Sequence, residues 1–450
     1  MNIETIHNVY FIGIGGVGMS ALAKYYVAEG KAVGGYDNTP TLITESLVEL
    51  GVGIQFETHT YQIDERFLNP KDTLIIFTPA VSESNAILHY FRTHKFQVLK
   101  RSEVLGLVTK NTQCLAVAGT HGKTTTSSIL GHLMYVCNEK VTAFIGGISE
   151  NYQSNLIQNG TDISVVEADE FDRSFLTLSP DFACITSMDA DHLDIYDSEV
   201  DLVDAFKQFT QKIKPSGKLF IRKGLPLEGI TYGVHEQADY DAVNVRIENG
   251  SYHFDLQTPK ELIENLNFHL PGTHNLSNAV GALAMAIEFG CSKQPLKTAL
   301  KGYKGVKRRF TTHIKTDDFV FIDDYAHHPT EISAVHQAVQ EMYPGQKVTV
   351  VFQPHLFSRT KDFADDFAAS LSQFDAVFLL DIYPARELPI SGVTSSWLLE
   401  KLKSPVKKVI SKLDIVSEIK KIGHPILITL GAGDIGVEVS ELKEKLSYAY

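Results

Sequence analysis

The stretch LAVAGTHGKTTT at residues 115–126 constrains this chain more than any other. Its apolar start, Leu115 to Ala118, reads as a buried strand. Gly119-Thr120-His121-Gly122 reads as a tight loop, and Lys123-Thr124-Thr125-Thr126 opens a helical run, SSILGHLMY. Strand, glycine loop and helix start, in that order, aim backbone N–H groups and the positive end of a helix dipole at one point. Lys123 adds a full charge there, and the Thr124 hydroxyl suits a Mg²⁺ ion. The natural guest is a nucleoside triphosphate. The general pattern G-x-x-x-x-G-K-[ST] would place glycine at Val117, which this chain lacks. A chance glycine turn ahead of a helix would leave the Lys-Thr pair without a purpose.

The chain has 450 residues, beyond what one core usually supports, so about three domains are expected. Its formal charge of −13 argues against nucleic acid as a partner. No apolar run approaches the ~20 residues of a membrane span, and MNIETIHNVYFIGIGG lacks the order of a signal peptide. Cys114, Cys137, Cys184 and Cys291 are scattered, without a C-x-x-C pair, which fits reduced thiols, mostly buried, in a cytoplasmic protein.

Strand-like and helix-like runs alternate, which predicts α/β architecture with parallel sheets. Val9–Ile12 reads as a strand, 13–18 as a glycine turn, 19–29 as a helix and Gly30 as its stop. Two further strands end in Asp37 and in the polar loop of TLIIFTPAVSE. The charged KRSEVLGLVTKNTQ reads as the end of the first segment. The second runs to about 312 and holds a β-rich insert near 217–270. The third repeats one habit in FVFIDDYAHHP, KVTVVFQPHLFSRTKD, AVFLLDIYPARELP and ILITLGAGDIG: an apolar strand runs into a polar tip. Ligands of open α/β sheets sit beyond such carboxyl ends.

Gly13-x-Gly15-Gly16-x-Gly18, with Asp37 nineteen residues beyond, is compatible with binding a nucleotide or diphosphate. Asp37 suits a ribose hydroxyl or, equally, a loop acid. Glu167, among Asp169, Glu170 and Asp172, stands where phosphate-loop enzymes hold Mg²⁺; a solvated acidic turn is the alternative. His192, between Asp191 and Asp194, suits a second metal or a proton shuttle. Arg308, in Lys307-Arg308-Arg309, can neutralise charge on a transferring phosphoryl group. Asp324-Tyr325-Ala326-His327-His328, Gln353-Pro354-His355 with Arg359, and Tyr383 to Glu387 gather His, Arg and Tyr at one predicted sheet edge. That set fits a small zwitterion. A zinc site at the histidines is disfavoured, because His327 and His328 are adjacent and point apart in most backbones.

In this order GIGGVGMSALA, GTHGKTTT, EADEFD, DADHLD, GTHNLSN, KRRF, DDYAHHPTE, QPHLFSR, DIYPARE and GAGDI resemble the Mur ligase family, the ATP-dependent amide-forming enzymes of peptidoglycan precursor synthesis. The resemblance covers essentially the whole chain. It implies an α/β fold of three domains: a Rossmann-like N-terminal UDP-binding domain (1–106), a central P-loop ATPase-like domain (107–312) and a C-terminal Rossmann-like amino-acid-binding domain (313–450). It further implies ATP and Mg²⁺, UDP-N-acetylmuramate and, from DDYAHHPTE and DIYPARE, L-alanine as substrates. The enzyme would be a cytoplasmic monomer or homodimer of cell-wall synthesis, without membrane or nucleic-acid partners.

The resemblance also assigns roles. Gly119, Thr120, Gly122, Lys123, Thr124 and Thr125 would hold the ATP phosphates, with Lys123 on the β,γ-phosphates. Thr124 and Glu167 would hold one cation and His192 a second. His274, Asn275 and Asn278 would serve the adenine end, Asp324 the ribose, and Arg308 a phosphate. Gly15, Gly16, Val17, Gly18, Asp37, Thr78 and Ala80 would bind the UDP-sugar. Tyr325, His327, His355 and Arg359 would form the alanine site. Many members carry H-R-Y-T-R where this chain has His355-Leu356-Phe357-Ser358-Arg359, so one arginine is missing. Some sister ligases bridge their metals with a carbamoylated lysine; Lys207 lies in the right region but has no assigned role. The nearest rival is a ligase attaching a whole tripeptide to the same sugar nucleotide. An NAD-dependent oxidoreductase or an ATP-binding regulator would leave Lys123-Thr124 or the acceptor motifs idle.

Overall fold

The computed structural model describes residues 6–189, 199–248, 250–385 and 387–447. The chain forms two compact units, one of residues 1–243, 255–266 and 277–303, the other of 244–254, 267–276 and 304–450.

The first unit opens on a parallel sheet. β1 (Asn8–Ile12), β2 (Ala32–Tyr36), β3 (Gly53–Gln55), β4 (Thr73–Phe77) and β5 (Gln97–Lys100) lie in the order β3-β2-β1-β4-β5. Val9, Phe11, Leu74 and Ile76 on one face and Ile12 and Ile75 on the other are fully buried, as parallel strands covered on both faces require. The order reverses between β1 and β4, so a crevice opens beyond their carboxyl ends. The first helix, Val17–Ala28, starts two residues earlier than its periodicity predicts, because Gly16 takes the extended N-cap position. The charged stretch after residue 100 is regular structure. It folds as helix Arg101–Thr109, buries Val104, and Glu103 accepts the Lys100 N–H at 2.7 Å.

A second sheet follows in the same unit. β6 (Gln113–Ala118), β7 (Val141–Ser149), β8 (Ser154–Gln158), β9 (Ile163–Ala168), β10 (Phe182–Ile185), β11 (Lys218–Arg222) and β12 (Ile230–Val234) run in the order β12-β11-β10-β6-β9-β7-β8. Among these seven strands β8 alone pairs antiparallel with its neighbour. β6 is the switch point, between β10 and β9. The expected β-rich insert comprises β11, β12, β13 (Tyr240–Glu248), β14 (Ser251–Gln257) and β15 (Leu262–Phe268). One apolar cluster joins the two sheets' layers, running from Val9 and Phe11 through Leu22 and Leu105 to Ala116 and Phe144. That continuity fixes the glycine turn after β1 against the domain carrying the phosphate loop.

In the second unit β16 (Thr311–Lys315), β17 (Val320–Asp324), β18 (Val348–Phe352), β19 (Ala376–Leu379), β20 (Val406–Val409) and β21 (Ile426–Leu430) form a sheet ordered β16-β17-β21-β18-β19-β20. It is parallel except for β16. The polar tips read from the sequence therefore share one edge.

Candidate active site

The loop after β6 is built as its residue types require. Gly119 and Gly122 have φ of 132° and 84°, where a side chain would be strained, and Gly122 is the left-handed N-cap of helix Lys123–Val136. A Cβ at Gly122 would stand 2.6 Å from Asn278 Oδ1, so Asn278 closes over the loop as a buried neighbour. The tip of β10 pins the loop from the other side. Ser187 Oγ accepts the His121 N–H at 2.7 Å, and the Thr120 hydroxyl accepts the Asp189 N–H at 3.1 Å. Thr186 and Ser187 were not singled out in the sequence, although a Thr-Ser pair directly after a strand is the available signal.

Lys123 Nζ donates to Glu170 Oε1 and Oε2 at 2.9 and 2.8 Å and to the Gly119 carbonyl at 2.6 Å. Burial alone would lower this lysine's pKa; Glu170, then Asp169 and Glu167, outweigh it and hold the ammonium charged, above its ordinary value. Glu170 is fully buried. The acidic run thus divides its labour: Glu170 pairs with Lys123, while Glu167 Oε1 accepts the Thr124 hydroxyl at 2.6 Å. Gly146 of β7 lies so close that a Cβ there would overlap Glu167 Oε2. Hydroxyl and carboxylate oxygens held together are hard donors suited to Mg²⁺. Thr125 is buried in the same helical turn. His192 lies outside the described residues.

The glycine turn after β1 is tied by its acid. Gly15 N–H donates to Asp37 Oδ2 at 2.7 Å, and a Cβ at Gly15 would sit 2.9 Å from that oxygen. Gly16, Asp37, Thr78 and Ala80 line a cavity of 730 Å³ at the β1/β4 switch point, with Tyr36, Ser82 and Asn85. Val17 turns its carbonyl instead to Asn155 Nδ2, at 2.6 Å. Gly18 is not part of this cavity's lining. It lines a second, of 270 Å³, together with Arg101, Leu105, Lys123, Gly146, Glu167 and Asp169.

At the third sheet's edge Asp324 is buried and accepts N–H groups from Phe310 at 2.6 Å and Ala326 at 2.7 Å. Burial raises its pKa to about 6, against the pull of Arg309 and these two bonds. Arg308 donates to Asp323 Oδ2 at 2.9 Å and to the Gly431 carbonyl at 2.7 Å. Its partner Asp323 is fully buried, and an acid in an apolar strand carries no signal of that pairing in the sequence. Tyr325, His327 and His355 do gather: the ring centroids lie 5.5 Å apart for Tyr325–His327 and 6.0 Å for His327–His355. Tyr383 stacks on His355 at 5.7 Å. His328 turns away to cap helix Pro329–Met342, so the adjacent histidines diverge as expected. Arg359 lies on helix Phe357–Asp362, which Leu356 caps at φ 69°. In the same unit Asn275 donates to the Pro271 carbonyl at 2.6 Å, and a Cβ at Gly272 would press on the His274 ring, 2.5 Å from Cε1. Lys207 is half exposed and pairs with Asp204 on the surface.

Three family models match the chain in series: "Mur ligase family, catalytic domain" at residues 8–113, "Mur ligase middle domain" at 117–286 and "Mur ligase, glutamate ligase domain" at 308–435. The UDP-N-acetylmuramate–L-alanine ligase of Flavobacterium johnsoniae is 57% identical over 447 residues, 99% of each chain. That of Parabacteroides distasonis is 47% identical over 455 residues, 99% of this chain and 98% of its own. The crystal structure of the UDP-N-acetylmuramate-alanine ligase of Thermotoga maritima superposes with a TM-score of 0.82 at 26% identity, over 98% of this chain and 100% of the other. A murein peptide ligase of Psychrobacter arcticus shares the fold at TM-score 0.69 and 21% identity, over 98% of both chains.

Proposed function

The chain belongs to the Mur ligase family, and on that premise we infer that it joins L-alanine to the carboxylate of UDP-N-acetylmuramate, splitting ATP to ADP and phosphate in peptidoglycan precursor synthesis. One observation carries the reading: Lys123 and Glu167 share a single cavity with Gly18 and Arg101, beside the glycine turn after β1. The group that handles a terminal phosphate and the helix that receives the sugar nucleotide therefore face the same space.

The sugar's carboxylate attacks the γ-phosphorus, ADP leaves, and an acyl phosphate forms. The alanine amine then attacks the acyl carbon and phosphate departs. Two anions must first meet, so the main work is positioning and charge compensation. Lys123 supplies a fixed positive charge, held in register by Glu170. Thr124 and Glu167 are the residues to hold Mg²⁺, which when bound would offset charge on the phosphates; His192 is a further candidate ligand. Asp324 receives the ATP ribose. Tyr325, His327, His355 and Arg359 receive alanine, with aromatic and imidazole faces around its small side chain. Among the described residues no helix is long and apolar enough to cross a membrane, and a cytoplasmic enzyme fits its nucleotide substrates.

The test is phosphate release from ATP and Mg²⁺ with UDP-N-acetylmuramate and a panel of acceptors. Release that requires both the sugar nucleotide and L-alanine supports the assignment. Release with a tripeptide but not L-alanine, or without any sugar nucleotide, overturns it. Hydroxylamine in place of alanine should yield the hydroxamate of the acyl phosphate.

A further inference from the structure

Arg101 opens helix Arg101–Thr109, directly after β5. Its guanidinium lies against the first turn of helix Val17–Ala28: a Cβ at Gly18 would stand 3.1 Å from both Cδ and Nη1 of Arg101. Glycine at 18 therefore makes the seat for this side chain. Around it the cavity wall is apolar, formed by Ala21, Leu22, Leu105 and Phe144, while Lys123, Glu167 and Asp169 line the rest. Among the described residues no hydrogen bond or ion pair engages the guanidinium. A half-buried, unpaired arginine among apolar groups is costly unless an anion completes it.

We propose that Arg101 binds an anionic group of the sugar nucleotide, and so fixes that substrate's reacting end toward Lys123. This rests on the reading that the chain acts on UDP-N-acetylmuramate. The larger cavity at the β1/β4 switch point accommodates the nucleotide end. Gly18, on the first turn of the intervening helix, belongs to the smaller one, where the reacting end must meet ATP. The matching anion is the diphosphate or the lactyl carboxylate, both suited to a planar guanidinium fork.

The test uses the full-length enzyme with Arg101→Met, Arg101→Lys and Gly18→Ala. Calorimetric binding of UDP-N-acetylmuramate should weaken about 10–100-fold in Arg101→Met, the loss expected for a charged hydrogen bond. KM for ATP should change less than about threefold, and Arg101→Lys should recover part of the loss, keeping the charge without the fork. UDP-N-acetylglucosamine, which lacks the lactyl carboxylate, separates the two anions: equal weakening for both sugars assigns the diphosphate, and weakening for the muramate alone assigns the carboxylate. Gly18→Ala adds a methyl group where Arg101 sits, in a helix that tolerates alanine. It should weaken sugar-nucleotide binding without lowering the melting temperature, and add little further loss in the Arg101→Met background. Unchanged affinity for both sugars in a folded Arg101→Met enzyme overturns the proposal, as does full additivity with Gly18→Ala. Wild-type protein that binds the sugar nucleotide but releases no phosphate with any acceptor would refute the ligase reading instead.

Discussion

Lys123 Nζ stands 2.8 Å from Glu170 Oε2, and the carboxylate has no exposure to water. The phosphate-loop lysine is thus one half of a buried ion pair, and its charge is secured by the fold before any nucleotide arrives.

Removing one half of such a pair strands the other. Lys123→Ala should cost about 3–5 kcal/mol of stability and lower turnover by about 10²–10³ or more. Lys123→Ala with Glu170→Ala should regain most of the stability, because no buried charge is left alone, and none of the activity. Urea unfolding and phosphate release on the three variants separate these effects. A double variant as unstable as Lys123→Ala alone would show that the pair is not what holds the loop.

Gly146→Ala should be nearly silent in stability and harmful in function. Its new methyl group meets the mobile end of Glu167, so the carboxylate must swing away from Thr124 while the strand stays in place. Turnover at limiting Mg²⁺ should fall about 10-fold or more, by analogy with disturbing a residue that orients a metal ligand, and excess Mg²⁺ should restore part of it. Equal activity across a Mg²⁺ titration would remove Glu167 from the cation site.

Asp324 supplies a pH dependence of defined sign. Its folded pKa of about 6 exceeds the ordinary carboxylate value of 3.8 because burial disfavours the charge. The folded state therefore holds the proton more tightly. The stabilisation is complete below pH ~4 and is lost as pH rises through 6, by up to about 3 kcal/mol. Asp324→Asn cannot titrate. The stability of Asp324→Asn relative to wild type should therefore climb between pH 4 and pH 7, measured by urea unfolding at several pH values. A difference independent of pH would place the Asp324 pKa near normal.

Arg308 and Asp323 form the corresponding pair at the third sheet's edge, 2.9 Å apart. Asp323→Asn keeps the shape and removes the charge. A guanidinium that has lost its orienting carboxylate should lower kcat about 10-fold, while Asp323→Ala should also cost about 3–5 kcal/mol of stability by leaving Arg308 unmatched. Turnover and unfolding curves on both variants check this. Full activity in Asp323→Asn would remove the pair from catalysis.

Local order in the chain determined the phosphate loop. A strand, two glycines, Lys123 and Thr124 lie within a dozen residues, and the backbone geometry they need is set by neighbours in sequence. The alternation of strand and helix likewise determined α/β sheets with polar tips, and a tip is where ligands collect. Tertiary structure alone decided which charge faces which. Glu170, not Glu167, pairs with Lys123, because the 3-10 turn Phe171–Thr177 begins at Glu170 and carries its carboxylate inward, while Glu167, still in β9, stays beside Thr124. Arg101 reads only as one charge in the stretch that ends the first segment, yet β5 delivers it to Gly18, 83 residues away in sequence. Asp323 looks like any strand residue until β21 brings Gly431 and Thr429 beside it and Arg308 closes the set. Ion pairing depends on distances of a few ångströms, which a sequence cannot supply across separate strands. Backbone turns depend on immediate neighbours, which it does supply.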